Sequence, residues 1–392
     1  MQRWLHTRAA RKFLANRIAL VGLGIVSTYL LVALATGVFG IITPDETFER
    51  VGPKQIRGFF RPQSPEKRLA DAEYILNRMD GIFRRSNPSA ALQEFRLGQL
   101  YIRQVPIEEL QAEVNQGWEI YDQLAVNDEL EATPEVLQQL GNLERVVNGL
   151  FEPLTGSAVW KRRLELLLGT DAQGRSIAIR GLYSIEIAIR IGSVVAFLSV
   201  LIGAVLGTAA GFYGGWIDHL VTWLFTTFSS IPSLVLLVLL AYLFTGTTFE
   251  GTLVPMYIAF SATYWIGPCR VIRGETLKLR ELEYVQAATA LGFSRPYIML
   301  RHILPNASHL MLINFSLLFI AAIKGEVILT YLGLGIKNGT SWGIMIGQSR
   351  PEVVNGFFWQ IGTATFLMFG LVLAFNILSD ALQDAFDPKH VG

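Results

Sequence analysis

Long apolar runs without charged residues alternate with polar segments along this chain. Crossing a hydrocarbon core of about 30 Å takes roughly 20 helical residues, and six charge-free runs come close to that length or exceed it. They are Ile18–Ile42, Ile191–Tyr213, His219–Phe249, Gly251–Cys269, Asn306–Ile323 and Phe357–Ser379. The pattern therefore predicts an all-α integral membrane protein with six membrane-spanning helices.

Polar positions are concentrated between the first two runs. Residues 43–165 hold 35 of the chain's 65 charged residues. Apolar residues inside this block recur at steps of three and four, the period of an amphipathic helix. The three stripes are Leu69, Ala72, Leu76, Met79 and Phe83; Ile107, Leu110, Val114, Trp118 and Tyr121; and Val136, Leu140, Leu143, Val147 and Leu150. We predict a separate helical domain over residues 43–165, inserted between the first and second spans.

The basic residues predict the orientation in the membrane. Arg3, Arg8, Arg11, Lys12 and Arg17 precede the first span with no acidic residue among them, which places residues 1–17 in the cytoplasm. Six spans return the C-terminus to the same side. The segment 270–301, with six Lys or Arg and three Glu, then also lies inside, and the acidic block 43–165 lies outside.

Composition narrows the class of protein. Hydrophobic residues make up 51% of the chain and charged residues 17%, against about 25% charged in ordinary soluble domains. The single cysteine excludes an intrachain disulfide framework, and a net charge of +1 offers no general attraction to nucleic acid. No Gly-Lys-Ser/Thr, HExxH or CxxC sequence occurs, and the five histidines are dispersed. We predict neither a catalytic nor a metal site.

Two charged residues interrupt the apolar stretch that follows the fifth run. Lys324 and Glu326 are either snorkelling side chains at a helix end or polar residues inside the bundle, where charges are usually functional. Two residues apart on a helix, they point about 200° away from each other and should not pair. We expect Glu326 to face the protein interior and Lys324 to face an interface or another chain.

A motif lies in the predicted cytoplasmic segment. The residues Glu283-Tyr284-Val285-Gln286-Ala287-Ala288-Thr289-Ala290-Leu291-Gly292 are followed, after nine more, by His302-Ile303-Leu304-Pro305. Ala287, Ala288 and Leu291 predict a small apolar helix face, which Gly292 ends with a turn. Such a helix and turn between two spans would present a compact knob to the cytosol.

This spacing resembles the EAA loop of ABC-importer membrane subunits, although Gln286 replaces the Glu of that pattern and His302 replaces its first Ile. Further similarity to the dipeptide/oligopeptide branch, its C-type subunit in particular, lies in Leu168–Asp171 with Gly174-Arg175, Gly211–Asp218, Arg301–Asn306, Tyr331–Gly335 and Leu373–Pro388. Ser176 stands where that branch usually has Asp. The resemblance is loose over Arg3–Ile42, close over Leu168–Pro388, and says nothing about the block 43–165.

The resemblance implies one membrane-spanning half of a binding-protein-dependent peptide importer in the bacterial inner membrane. It implies a homologous second permease, two cytoplasmic ATPases that use ATP and Mg, and an extracytoplasmic binding protein, with no cofactor in this chain. Residues 166–392 would form a five-helix permease core with a coupling loop at 270–305. The ATPase contacts it implies are Arg280, Glu283, Tyr284, Gln286, Ala287, Ala288, Gly292 and Arg295.

Alternatives stay open at this point. The same family handles nickel chelates, glutathione and other solutes, and the sequence does not identify the substrate-binding residues. A secondary transporter would need ionisable residues at the midplane or repeated broken helices. A membrane-anchored scaffold would use only the polar domain, and five further spans would then have no purpose. The role of that domain, as a structural cap or as a guide for the binding protein, is likewise open.

Overall fold

The computed structural model describes residues 15–56, 58, 63–126, 130–337 and 339–386, which are predominantly helical. The basic residues Arg3–Lys12, on which the predicted orientation depends, lie outside these ranges. The described helices are α1 (Arg17–Gly37), α2 (Pro65–Phe83), α3 (Pro88–Glu94), α4 (Ile107–Ala125), α5 (Pro134–Gly149), α6 (Ser157–Leu167), α7 (Ile177–Tyr213), α8 (Gly215–Ser229), α9 (Ser233–Tyr242), α10 (Val254–Tyr264), α11 (Ile266–Leu279), α12 (Glu283–Ala290), α13 (Arg295–Ile298), α14 (Leu304–Tyr331), α15 (Trp342–Gln348), α16 (Arg350–Val354) and α17 (Trp359–Phe386).

Two compact units divide the chain. Among the described residues, the apolar unit takes those within 15–41, 182–348 and 364–386, and the polar unit takes those within 42–181 and 349–363. The only strands in the described residues, β1 (Arg96–Leu97) and β2 (Leu100–Tyr101), form an antiparallel hairpin in the polar unit. The fold is otherwise helical, as the sequence predicts.

Four stretches of helix in the described chain are long and apolar enough to cross a membrane. They are Arg17–Gly37, Ile177–Tyr213, Arg295–Tyr331 and Trp359–Ala385. The third predicted run forms a fifth candidate only if α8 and α9, which meet at 89°, are taken as one broken span. Pro232 lies between these two helices; because proline has no N–H and restricts the residue before it, the bend has a local cause.

The fourth predicted run, Gly251–Cys269, is divided between α10 and α11. The division is at Trp265, whose indole nitrogen donates to the carbonyl oxygen of Ala262 at 3.0 Å. The second run lies within α7, which begins 14 residues earlier, at Ile177. The first turns of α7 contain charged residues that form ion pairs. The helix therefore continues through these charged positions.

The three predicted stripes form a core in the polar unit. Residues of α2, α4 and α5 form one buried cluster, in which Leu76, Leu140 and Leu143 have no exposed surface. Gly117 lets α4 approach α2 closely, because an ideal Cβ there would lie 2.7 Å from Leu76 Cδ2. The stripes are thus confirmed as a helical core.

Opposite charges join the two halves of the polar unit. Arg68 on α2 and Glu144 on α5 form two hydrogen bonds of 2.6 Å each. Arg103 donates to Glu113 on α4 at 2.5 Å. These contacts connect the basic segment 50–103 to the acidic segment 105–152, whose opposite charges favour such packing.

Candidate functional site

The loop that carries the sequence motif, residues 270–305, is helical through most of its length. In α12, Glu283 occupies the first turn, where a negative charge is favourable to the helix dipole. The helix ends at a left-handed Gly292, with φ +81°. The N–H of Gly292 donates to the carbonyl of Thr289 at 3.1 Å and that of Phe293 to Ala288 at 3.2 Å. Glycine adopts this conformation without a steric penalty, so the turn is specified by the sequence.

The structure divides the predicted contact residues of α12 between two faces. Val285 and Ala288 are buried together with Ile298, against the partly buried Phe212. Ala288 therefore belongs to the loop's own core, and the apolar face expected for Ala287, Ala288 and Leu291 is not continuous. Glu283, Tyr284, Gln286 and Ala287 are exposed, as is Leu291 with 78% of its surface. A partner protein could touch this second group.

Arg280 and Arg295 attach the loop to the end of α7. The Arg280 guanidinium donates to the carbonyl oxygen of Gly211 at 3.0 Å. That of Arg295 lies over the Tyr213 ring, 5.7 Å from its centroid. Both residues were expected to flank the partner contact; in the structure their contacts hold the loop to a long apolar helix.

A stripe of glycines brings α7 against α11, the helix that leads into the loop. An ideal Cβ at Gly203, Gly207 or Gly211 would lie within 2.8 Å of an α11 atom, and the nearest atom at Gly207 is a backbone oxygen at 2.5 Å. Arg273 on α11 also forms a two-pronged ion pair with Asp218 on α8, at 2.5 and 2.7 Å. Sequence reasoning missed this junction, although glycines at every fourth position are a recognisable signal for close helix packing.

The loop joins α14 through a π-helical turn, Met299–Ile303, which ends two residues before Pro305. Because Pro305 has no N–H, the helix cannot keep its regular hydrogen bonds here. His302 in this turn stands 6.1 Å from both Tyr284 and Tyr297, measured between ring centroids. Asn306 donates to the Tyr284 hydroxyl at 3.1 Å. The replacement of Ile by His at residue 302 thus places a polar ring between two tyrosines.

Lys324 and Glu326 both lie within the continuous helix α14. Glu326 is buried, with 3% of its surface exposed, and accepts a hydrogen bond from Thr330 at 2.8 Å. Lys324 is exposed. The two side chains point apart, as their spacing predicts, and Glu326 lies in the interior. Their part in transport stays a prediction.

A buried charge cluster surrounds the first turn of α7 in the polar unit. Asp171 is fully buried and contacts Arg175 at 2.7 Å and Arg180 at 2.5 Å. Glu352, also buried, accepts from the backbone N–H of Ala172 at 2.5 Å, and burial raises the pKa of its carboxyl group. The motif residues Asp171 and Arg175 thus pair with each other in the interior of the polar unit.

Ser176 fills the position at which the related pattern has Asp. Its hydroxyl accepts from the N–H of Ile179 at 3.1 Å and donates to the carbonyl of Glu165 at 2.6 Å. The first contact is that of a helix N-cap, which Asp would also make. The second needs a donor, which Asp lacks when ionised.

No group of three or more His, Cys, Asp or Glu is placed to hold a metal ion in the part of the chain that the structure describes. Cys269 is fully buried against α7 and carries no disulfide, as expected of a packing residue.

Comparison with known proteins agrees with this picture. Residues 200–391 match the family model of the binding-protein-dependent transport system inner membrane component. A dipeptide transport system permease protein of Bacillus subtilis is 34% identical over 222 residues, covering 56% of this chain and 68% of the relative. An oligopeptide transport system permease protein of Haemophilus influenzae is 36% identical over 222 residues, covering 56% and 70%.

A third relative is named for a different solute. A peptidoglycan transport system permease protein of Agrobacterium fabrum is 34% identical over 223 residues, covering 57% of each chain. All three relatives are permease proteins of transport systems, and the apolar helices described above fit a multi-pass protein of the inner membrane. The chain belongs to the binding-protein-dependent transport permeases, and within them to the dipeptide and oligopeptide permeases of ABC importers.

Proposed function

We propose that this chain forms one half of the translocation pathway of an importer that takes up peptides. The observation that supports peptides as substrate is the identity of 34–36% to dipeptide and oligopeptide permeases over more than two thirds of their length. The other half of the pathway is a homologous permease. An extracytoplasmic binding protein delivers the substrate, and two cytoplasmic ATPases, which use ATP and Mg, supply the energy.

The peptidoglycan permease among the relatives supports one second candidate: peptides that carry cell-wall sugars. Uptake by the assembled complex in proteoliposomes distinguishes the candidates. We expect ATP-dependent uptake of labelled di- to pentapeptides, measured beside a muropeptide, glutathione and a nickel chelate. Uptake of one of the other solutes with no uptake of peptides would contradict the proposal.

The proposed topology has six spans with both termini in the cytoplasm. It counts α8–α9 as one broken span and α10–α11 as another. The supports are the six basic and three acidic residues of segment 270–301 and the acidic excess of residues 43–165. In this topology the inserted domain lies outside the cell membrane. Its helices would be open to a protease added to right-side-out vesicles, while the loop at 270–305 would be protected.

Coupling to the ATPases runs through the exposed side of α12 in this proposal. Tyr284, Gln286 and Ala287, with Gly292 at the turn, form the contact. Ala288 supports it from beneath, while Arg280 and Arg295 join the knob to α7. ATP-driven closure of the ATPases would then be transmitted to the spans through this attachment.

The contact is tested by Ala287→Arg and Gly292→Trp. We expect each variant to insert normally but to lose about 2–4 kcal/mol of ATPase binding, as at a well-packed contact. Lys278→Gln, at an exposed side chain of α11, is the matched control and should retain binding. Association is measured by titrating purified ATPase onto the permease pair in nanodiscs. Normal binding and transport in both variants would show that the contact lies elsewhere.

A further inference from the structure

Arg190 on α7 lies four residues from Glu186, a spacing that by itself indicates an ordinary ion pair within a helix. Its guanidinium donates to Glu186 at 2.9 Å. Glu186 is 8% exposed at its side chain, whereas Arg190 is 57% exposed. The structure gives the other guanidinium N–H groups no partner within the described residues. Arginine offers five donors in a planar fork, so most of this fork is available.

The position of Arg190 along the helix is within the thickness of a membrane. Gly207, 17 residues further on, packs against the backbone of Arg273 on α11, which belongs to the basic cytoplasmic segment of the proposed topology. At 1.5 Å per residue, Arg190 lies about 25 Å above that level, less than the roughly 30 Å of the hydrocarbon core. Gly37, the last residue of α1, packs against Glu186, one turn further out than Arg190.

Two tyrosines lie near Arg190, and an apolar helix face extends below it. Tyr183 and Tyr257 are close enough to interact with the charges of both Arg190 and Glu186. Below Arg190, this face of α7 continues through the half-buried Val194 and the exposed Phe197, Leu201 and Val205, at helical spacing and without a further charge. An arginine at the head of an apolar face is unfavourable against lipid tails, but it suits a water-filled path for a solute that is charged at one end.

We propose that Arg190 binds the carboxylate of a peptide substrate at the outer end of the translocation path. The proposal rests on the proposed function, since peptides with a free C-terminus carry that carboxylate. A planar guanidinium binds a carboxylate through two parallel hydrogen bonds, which an ammonium cannot reproduce. Glu186 orients the fork by holding one edge, and the apolar face of α7 accepts side chains of varied sequence. A lipid phosphate offers the same anionic chemistry, and the experiment distinguishes the two sources.

The experiment uses the complete complex in proteoliposomes and compares trialanine with trialanine amide, which lacks the carboxylate. We expect Arg190→Gln to raise the KM for trialanine about tenfold or more, as loss of a charged hydrogen bond does, and to leave the KM for the amide within about twofold. Arg190→Lys should show an intermediate KM for trialanine. Arg163→Gln, at an exposed cation beside Trp160 of α6, is the matched control and should alter neither value.

The outcomes separate this proposal from the proposed function. Equal changes for the acid and the amide, or no change, would overturn the role of Arg190 and would fit a lipid phosphate partner; peptide uptake by the unaltered complex would still stand. Failure of the unaltered complex to take up peptides would overturn both. Because Cys269 is buried, Val194→Cys adds an independent readout. Its reaction with a water-soluble thiol reagent, slowed by trialanine, supports a path on this face, and absence of reaction overturns it.

Discussion

Replacing Gly207 with alanine tests whether the close approach of α7 and α11 connects the coupling loop to the membrane helices. The ideal Cβ would lie 2.5 Å from the carbonyl oxygen of Cys269 and 3.0 Å from the backbone nitrogen of Arg273. Non-bonded carbon contacts are most favourable near 3.5–4.0 Å. Because the obstructing atoms belong to the α11 backbone, they cannot rotate away. The two helices must therefore separate by about 1 Å.

The expected magnitude is a balance of two effects. Overpacking a tight interface costs about 1–3 kcal/mol, while alanine is about 1 kcal/mol better than glycine within a helix. Gly207→Ala should therefore lose up to about 2 kcal/mol of stability. Gly274 lies in α11 with no heavy atom within 4 Å of its ideal Cβ. Gly274→Ala meets no clash, so it should gain up to about 1 kcal/mol.

Two measurements examine the Gly207 prediction. Thermal unfolding of both variants in detergent gives the difference in stability, which should favour Gly274→Ala by about 1–3 kcal/mol. The number of peptides moved per ATP hydrolysed, in the assembled complex, should fall for Gly207→Ala, because Arg280 and Arg295 hold the loop to the same end of α7. If the two variants unfold together and transport with equal yield, the tight packing of α7 on α11 has no mechanical role.

Three further predictions concern single residues. Burial raises the pKa of Asp71 to about 7 from its ordinary 3.8, so the contribution of this carboxyl group to stability is fully present below about pH 4 and is lost, by about 4 kcal/mol, as pH rises from 4 to 7; Asp71→Asn should remove this part of the pH dependence in melts taken from pH 4 to 8. Ser176→Ala should lose about 1–2 kcal/mol through its cap and its bond to Glu165, whereas Ser157→Ala, at an exposed position, should melt unchanged. Glu326→Leu should lower the melting temperature more than Lys324→Leu, because Glu326 is buried and hydrogen-bonded to Thr330 whereas Lys324 is exposed; equal shifts would refute the distinction.

The sequence was informative where one periodic signal dominates. Charge-free runs located the long apolar helices, and steps of three and four located the core residues of α2, α4 and α5. Run length alone could not reveal the 89° bend between α8 and α9, because its cause is one proline inside an otherwise uniform apolar run. Run length also placed the start of α7 too late. Charged residues such as Glu186 and Arg190 form an ion pair and can therefore lie within the helix.

For the candidate site, local spacing predicted α12 and the turn at Gly292. Which face of α12 is covered depends on Phe212, which is far from it in sequence, and on Ile298, which lies beyond the turn. Local spacing therefore could not show that Ala288 is buried within the chain while Ala287 and Leu291 are exposed. The attachment of Arg280 to Gly211 joins residues 69 positions apart. No periodic pattern specifies such a contact.

The polar unit is assembled from two separate stretches of chain, residues 42–181 and 349–363. The hydrogen bond between Ala172 and Glu352 closes a loop of 180 residues. Contacts of such long sequence separation form slowly in folding, because closing a long loop costs conformational entropy before the contact contributes any stability. During synthesis, most of the helices of the apolar unit leave the ribosome before residue 349 does. The buried cluster around Asp171 therefore remains incomplete until nearly the whole chain has been made, and a truncated chain that ends before Glu352 would expose it to quality-control proteases.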